Sequence, residues 1–154
     1  MSRSPVDAFV ALSAALTGFR EVDLLGTGQA RAHFDEVLAI VGEQVMARLL
    51  AGGGEALAAE DSDAELRARI LEDAELGPVA RNVIVLWYLG QWDALPGDWR
   101  DRHGASPRDV AGVVSPEGFR RGLVWPAAGT HPIGADGPGF ASWATPPAAP
   151  GSAP

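Results

Sequence analysis

The chain has 154 residues and a mass of 16.0 kDa, which is the length of one ordinary domain. It contains no cysteine, which excludes disulfides, thiolate metal sites and a cysteine nucleophile. The formal net charge of −8 at pH 7 argues against the phosphate backbone of a nucleic acid as a partner.

The N-terminal third predicts two helices. Ser4, Pro5 and Asp7 form a helix-start pattern, because Ser can cap, Pro suits the first helical position and Asp can return a hydrogen bond. We expect this first helix over about residues 5–16, with Thr17-Gly18 ending it. A second helix is expected over about residues 29–50. Its apolar residues recur along one stripe (Phe34, Val37, Leu38, Val41, Val45 and Leu49), and the three consecutive glycines at 52–54 should end it.

The apolar run at residues 8–19 also resembles the core of a signal peptide. However, its only preceding basic residue is Arg3, so we interpret the run as a structural helix. The longest strongly apolar stretch, residues 83–89, is far shorter than the roughly 20 residues that cross a bilayer. We therefore expect no membrane span. The location expected is cytoplasmic for the chain as written, and periplasmic if a leader was removed or a partner carries one.

Three further helices are expected. One begins after Ser62, where Ser62 to Glu65 forms a capping box, and another begins at Pro78 and ends by Gly90. A shorter helix should begin at Ser115-Pro116-Glu117. No segment alternates apolar and polar residues clearly enough to predict a strand. The fold class predicted is all-α, a compact bundle of about four to five helices.

The C-terminal segment has a different composition. Residues 126–154 contain seven Pro and five Gly, and cannot build a core of their own. We expect a helical domain over residues 1–125, an irregular strap over 126–147 that docks on a partner, and a disordered tail over 148–154. Aromatic residues spaced along the strap suit docking, because Trp and Tyr dominate interface hot spots. The alternative, with equal weight, is that the strap folds back over its own helices.

No catalytic constellation stands out. The three histidines, His33, His103 and His131, are widely separated, and no pair has the spacing of metal ligands. We predict no catalytic, cofactor or metal site in this chain. A competing hypothesis is a free-standing enzyme or sugar-binding domain that uses the region from Trp87 to Trp99, where stacked indoles with Asp93, Asp98 and Arg100 could grip a sugar.

Two stretches carry a resemblance to a known family. ILEDAELGPVARNVIVLWYLGQW, at residues 70–92, and VVSPEGFRRGLVWPAAGTHPIGADGPGFASWATPP, at residues 113–147, are similar to the small (gamma) subunit of bacterial FAD-dependent sugar and polyol dehydrogenases. This is the membrane-bound FAD-containing D-sorbitol dehydrogenase small-subunit family. The opening VDAFVALSAALTG, at residues 6–18, also resembles the start of the mature domain in that family.

The resemblance implies a non-catalytic role. In that family, FAD and the catalytic histidine belong to a large subunit of the glucose–methanol–choline (GMC) oxidoreductase type. The small subunit carries no cofactor, stabilises the large subunit and assists its maturation. The resemblance therefore implies a large FAD-binding dehydrogenase subunit as the partner, and it also allows a cytochrome subunit in the complex.

The residues expected to contact that partner are aromatic or basic and lie in the second half of the chain. Tyr and Trp can bury ring area while keeping a hydrogen bond, and Arg suits bidentate pairing with carboxylates. Core packing is the alternative interpretation for Trp87, because the helical period already explains its position. The predicted partner-binding residues are Trp87, Tyr88, Trp92, Arg120, Arg121, Trp125, His131, Phe140 and Trp143.

Overall fold

The computed structural model describes residues 3–104 and 106–132, and within these ranges the protein is an all-α bundle, as predicted. The helices are α1 (Pro5–Thr17), α2 (Glu21–Gly26), α3 (Ala30–Ala58), α4 (Ser62–Leu66), α5 (Leu76–Leu89), α6 (Gly97–His103), α7 (Pro116–Arg120) and α8 (Val124–Ala127). A π-helical turn, Arg67–Leu71, follows α4. Two short antiparallel strands, β1 (Gln91–Trp92) and β2 (Gly112–Val113), pair with each other after α5.

Helix α1 begins at the predicted cap. The Ser4 hydroxyl accepts the Asp7 backbone N–H at 3.2 Å, and the Asp7 carboxylate accepts the Ser4 backbone N–H at 3.3 Å. These two bonds satisfy N–H groups that the first turn of a helix leaves without partners. Gly18 ends the helix with a left-handed backbone. The local sequence therefore sets both ends of α1.

Helix α3 is longer than predicted. It does not end at the glycines of 52–54 but continues to Ala58, and it bends at Gly42, whose backbone has φ 81°. Gly53 is buried because Leu12 of α1 fills the space beside it: a Cβ on Gly53 would lie 2.9 Å from a Leu12 methyl carbon. Close packing of α1 therefore outweighs the weak helix propensity of glycine.

By length and composition alone, α3 could cross a membrane. The core helix of a soluble protein can meet the same criteria of length and apolar composition. In this fold its buried residues, among them Phe34, Val37 and Leu49, pack into the hydrophobic core.

Two other helix starts differ slightly from the prediction. Asp61, and not Ser62, caps α4, accepting the Ala64 N–H at 3.0 Å. Helix α5 begins at Leu76, two residues before Pro78, because the Asp73 carboxylate accepts the Leu76 N–H at 2.7 Å. Acidic side chains therefore begin both helices earlier than the sequence pattern indicated.

The core is organised around Trp87 of α5. Its ring stacks on Phe9 of α1, with centroids 6.4 Å apart, and meets the edge of His33 of α3 at 4.7 Å. Phe9 in turn contacts Phe34 of α3 edge to face at 5.8 Å. The three longest helices thus share one aromatic cluster.

The α7–α8 segment, defined as residues 115–127, packs on the C-terminal end of α5. Ser115 caps α7 as predicted, accepting the Gly118 N–H at 2.9 Å. The Trp87 carbonyl accepts the Leu123 N–H, and the Gly90 carbonyl accepts the Val114 N–H, each at 2.9 Å. Gly90 ends α5 with φ 64°.

We expect Gly90→Ala to lower the free energy of unfolding by more than about 2 kcal/mol. Its positive φ disfavours any Cβ, and that Cβ would lie 2.3 Å from the Phe119 backbone nitrogen. The matched control is Gly54→Ala in α3, where a Cβ meets nothing within 4 Å. The control should gain about 0.5–1 kcal/mol. Urea unfolding followed by circular dichroism compares the two, and equal stabilities would contradict the close packing at Gly90.

Candidate functional site

Helix α2 and the α7–α8 segment form the walls of an open groove with a volume of about 460 Å³. We call it the α2–α8 groove. It brings together three of the residues that the sequence predicted for partner binding, Arg120, Arg121 and Trp125. Its lining residues are Phe19, Val22, Asp23, Gly26, Thr27, Arg120, Arg121, Gly122, Leu123, Trp125 and Pro126.

Helix α2 supplies apolar surface to this groove. Leu24 is fully buried and anchors the helix, which leaves Val22 61% exposed and Leu25 54% exposed. At its N-terminus, the Arg20 guanidinium donates two hydrogen bonds to the Asp23 carboxylate, at 2.7 and 2.9 Å. These bonds lower the pKa of Asp23, because they favour its charged carboxylate. Helix α2 was not predicted from the sequence, because its six residues are too few to show a helical period.

Trp125 forms part of the opposite wall. Its indole N–H donates to the Phe119 carbonyl at 2.8 Å, and its ring meets the Phe119 ring edge to face at 5.3 Å. The side chain is half-buried. The polar atom of the indole is therefore satisfied within the chain, while part of the ring stays open to a partner.

Tyr88 supports the groove from behind. Its hydroxyl donates to the Thr17 carbonyl at 2.8 Å, and its ring meets the edge of Phe19 at 5.9 Å. Phe19 itself lines the groove. The half-buried Tyr88 thus holds a groove residue in place.

Arg120 and Arg121 lie on the rim. Each forms an ion pair with Glu117, with nitrogen–oxygen distances of 3.3 Å from Arg120 and 3.0 Å from Arg121. All three side chains are between 42% and 47% exposed. Exposed pairs of this kind contribute little to stability.

The structure corrects the expectation for Trp87 and Trp92. Both rings are only 1% exposed, because they pack against the helices and loops of this chain. Trp87 belongs to the aromatic core described above. The Trp92 indole N–H donates to the Asp109 carboxylate at 2.9 Å. Neither ring presents a surface to a partner in this fold.

Asp109 is a buried hub that sequence reasoning missed. Its side chain is 1% exposed and pairs with Arg100 at 2.7 Å. The same carboxylate accepts the Trp92 indole N–H and the Leu95 backbone N–H, each at 2.9 Å. No spacing pattern joins these residues, so no sequence signal marks them. The network fixes the loop that follows α5.

This network also bears on the sugar-binding alternative. Trp99 is 2% exposed, and its indole N–H donates to the Glu75 carbonyl at 2.8 Å. Arg100 is held by Asp109. The cavity beside Asp93, of about 210 Å³, is lined by Pro78, Arg81, Asn82, Val85, Asp93, Ala94 and Pro96, and no indole of the described residues lines it. The indole faces that a sugar would stack on are therefore buried.

The remaining predicted site residues lie at or beyond the end of the described chain. His131 is exposed, one residue before the last described position. Phe140 and Trp143 lie outside the described residues, as do residues 133–147 of the predicted strap and all of the predicted tail. Helix α8, Val124–Ala127, crosses the predicted domain boundary at residue 125.

Within residues 3–104 and 106–132, no group of three or more His, Asp or Glu side chains is arranged to hold a metal ion. No model of a known protein family, no curated protein and no solved structure matches the chain. Support for a function therefore comes from the α2–α8 groove and from the sequence resemblance.

We expect Asp109→Ala to lower the free energy of unfolding by about 3 kcal/mol, because it removes the buried carboxylate that pairs with Arg100 and accepts the N–H groups of the Trp92 indole and the Leu95 backbone. The matched control is Asp98→Ala, which removes an exposed pair with Arg102 and should cost less than about 1 kcal/mol. Urea unfolding of both variants is the measurement. Similar losses in the two variants would contradict the role of Asp109 as a hub.

Proposed function

We propose that this chain is a non-catalytic subunit that binds, stabilises and helps to mature a GMC-type FAD-dependent sugar or polyol dehydrogenase. The observation that carries the proposal is the grouping of Arg120, Arg121 and Trp125 with the exposed Val22 in one groove. The family resemblance supplies the identity of the partner.

The chemistry of the α2–α8 groove suits a protein surface. Burying the exposed apolar side chain of Val22, which lines the groove, releases about 25 cal/mol for each Å² removed from water. The half-open Trp125 ring is the type of residue that dominates interface hot spots. Arg120 and Arg121 add guanidinium groups at the rim, where bidentate pairing with carboxylates gives orientation.

The groove walls also explain how the partner and this chain would stabilise one another. Helices α2 and α7 have six and five residues, which is too short for a helix to be stable in isolation. A partner that contacts both walls would hold these helices in place. Because the partner binds the folded form of this chain, binding raises the stability of the complex by mass action.

Co-expression tests the proposal directly. The chain is produced together with a GMC-type FAD-dependent dehydrogenase large subunit, and the complex is purified through a tag on this chain. We expect stoichiometric co-purification and dye-linked sugar oxidation that collapses when this chain is omitted. A flavoprotein that is fully active alone and binds nothing would reject the proposal.

A surface variant tests the groove itself. We expect Val22→Asp to reduce co-purification of the flavoprotein at least tenfold, because a carboxylate replaces apolar surface next to Asp23 and loses its hydration on docking. The matched control is Val110→Asp, since Val110 is 66% exposed and does not line the groove. Both variants should keep the circular dichroism of the parent. Equal co-purification of the two would exclude the groove as the docking surface.

A further inference from the structure

His33 is a buried imidazole without a hydrogen-bonding partner among the described residues. It lies in α3, is 3% exposed, and forms a T-shaped contact with the Trp87 ring at a centroid distance of 4.7 Å. The interplanar angle is 88°. This residue is used neither by the groove nor by the Asp109 network, so its position calls for a separate explanation.

The short helix α7 also packs against the imidazole. A Cβ on Gly118 would lie 3.5 Å from His33 Cε1 and 3.0 Å from the Ser115 hydroxyl. Ser115 and Gly118 are already bonded to each other in the α7 cap. The start of the α7–α8 segment therefore contributes to the burial of His33, which is 3% exposed.

No charged group in the described residues compensates a proton on His33. Several charged groups on the surrounding elements are held by other residues: Glu36 of α3 by Arg108, Arg31 and Asp35 of α3 by each other, Glu117 of α7 by Arg120 and Arg121, Asp7 of α1 by Ser4, and Arg81 of α5 by the Leu71 carbonyl. Burial alone lowers the pKa of His33 to about 4.

The direction of the pH effect follows from this shift. An imidazole that becomes solvated when α7 lifts regains its ordinary pKa of about 6.5. The closed form is then favoured fully above pH 6.5, and the advantage is lost as the pH falls from about 6.5 towards 4. Acid therefore favours the form in which His33 is uncovered.

We propose that the α7–α8 segment is a pH-sensitive cover over His33, and that acidification releases it from the end of α5. The segment leaves before the rest of the bundle because it is held by a five-residue helix and a few backbone hydrogen bonds. Trp87, in contrast, is packed among the three longest helices. Release removes one wall of the α2–α8 groove, and this consequence for partner binding rests on the proposed function.

Amide hydrogen exchange on the free, full-length chain tests the cover without any partner. After correction for intrinsic exchange rates, we expect protection of the Gly118 and Leu123 amides to fall about twentyfold between pH 7 and pH 5. Amides in the middle of α1 and α3 should change much less. Unchanged protection of the segment, or an equal loss throughout the bundle, would overturn the proposal.

Two variants assign the effect to one histidine. His33→Phe keeps an aromatic edge against Trp87 but cannot be protonated, so the pH dependence of the segment should disappear. The matched control is His103→Gln, which removes a histidine paired with Glu75 and should leave the pH dependence intact. Persistence of the effect in His33→Phe, or its loss in His103→Gln, would overturn the proposal.

Two further measurements keep the test decisive. If His33→Phe does not fold, carbon-13 histidine NMR on the parent chain replaces it, and a His33 that titrates near pH 6.5 in the folded protein overturns the cover. Co-purification with the flavoprotein at pH 7 and pH 5 then separates the two proposals. Absence of binding at both pH values, with the exchange result intact, counts against the docking function alone.

Discussion

Trp87 connects the core of this bundle to the surface that we propose for docking. Its ring stacks on Phe9 of α1 and contacts His33 of α3, so that one side chain joins the three longest helices. Its backbone carbonyl accepts the Leu123 N–H and holds the α7–α8 segment at the end of α5. Because side-chain packing and backbone pairing meet at the same residue, the groove cannot keep its shape unless the aromatic core is intact.

Under the docking function that we propose, the α2–α8 groove explains how the chain can fold and still gain stability from a partner. Leu24 gives α2 one fully buried anchor, while Val22 and Leu25 point apolar surface at solvent. The opposite wall is a pair of short helices fixed by a few hydrogen bonds, with Trp125 half-buried between them. Contiguous exposed apolar surface is typical of interaction sites, and a partner would bury it. The same weakly held wall is the one that covers His33.

Helix starts were the most predictable part of the fold. Ser4 and Ser115 cap their helices as expected, because a cap depends on residues within three positions of one another. The predicted end of α3 was wrong, because Leu12 of α1 fills the space beside Gly53 and the helix continues through the glycines. Helix α2 was missed, since it is too short to show a period. Of the candidate site, Arg120, Arg121 and Trp125 were predicted and lie in one groove, whereas Val22 carried no signal in the sequence.

The sequence by itself determined the helical class, the caps and the concentration of tryptophan in the second half of the chain, because these depend on composition and local spacing. Only the tertiary structure decided which of the described tryptophans keep a surface accessible to a partner. The buried Trp92 indole donates a hydrogen bond to Asp109, 17 residues away. The Tyr88 hydroxyl donates a hydrogen bond to the carbonyl of Thr17, 71 residues away. Trp87 is buried by residues of α1 and α3, while Trp125 lines a groove. Burial is set by contacts between distant segments, and the spacing of residues along the chain does not encode those contacts.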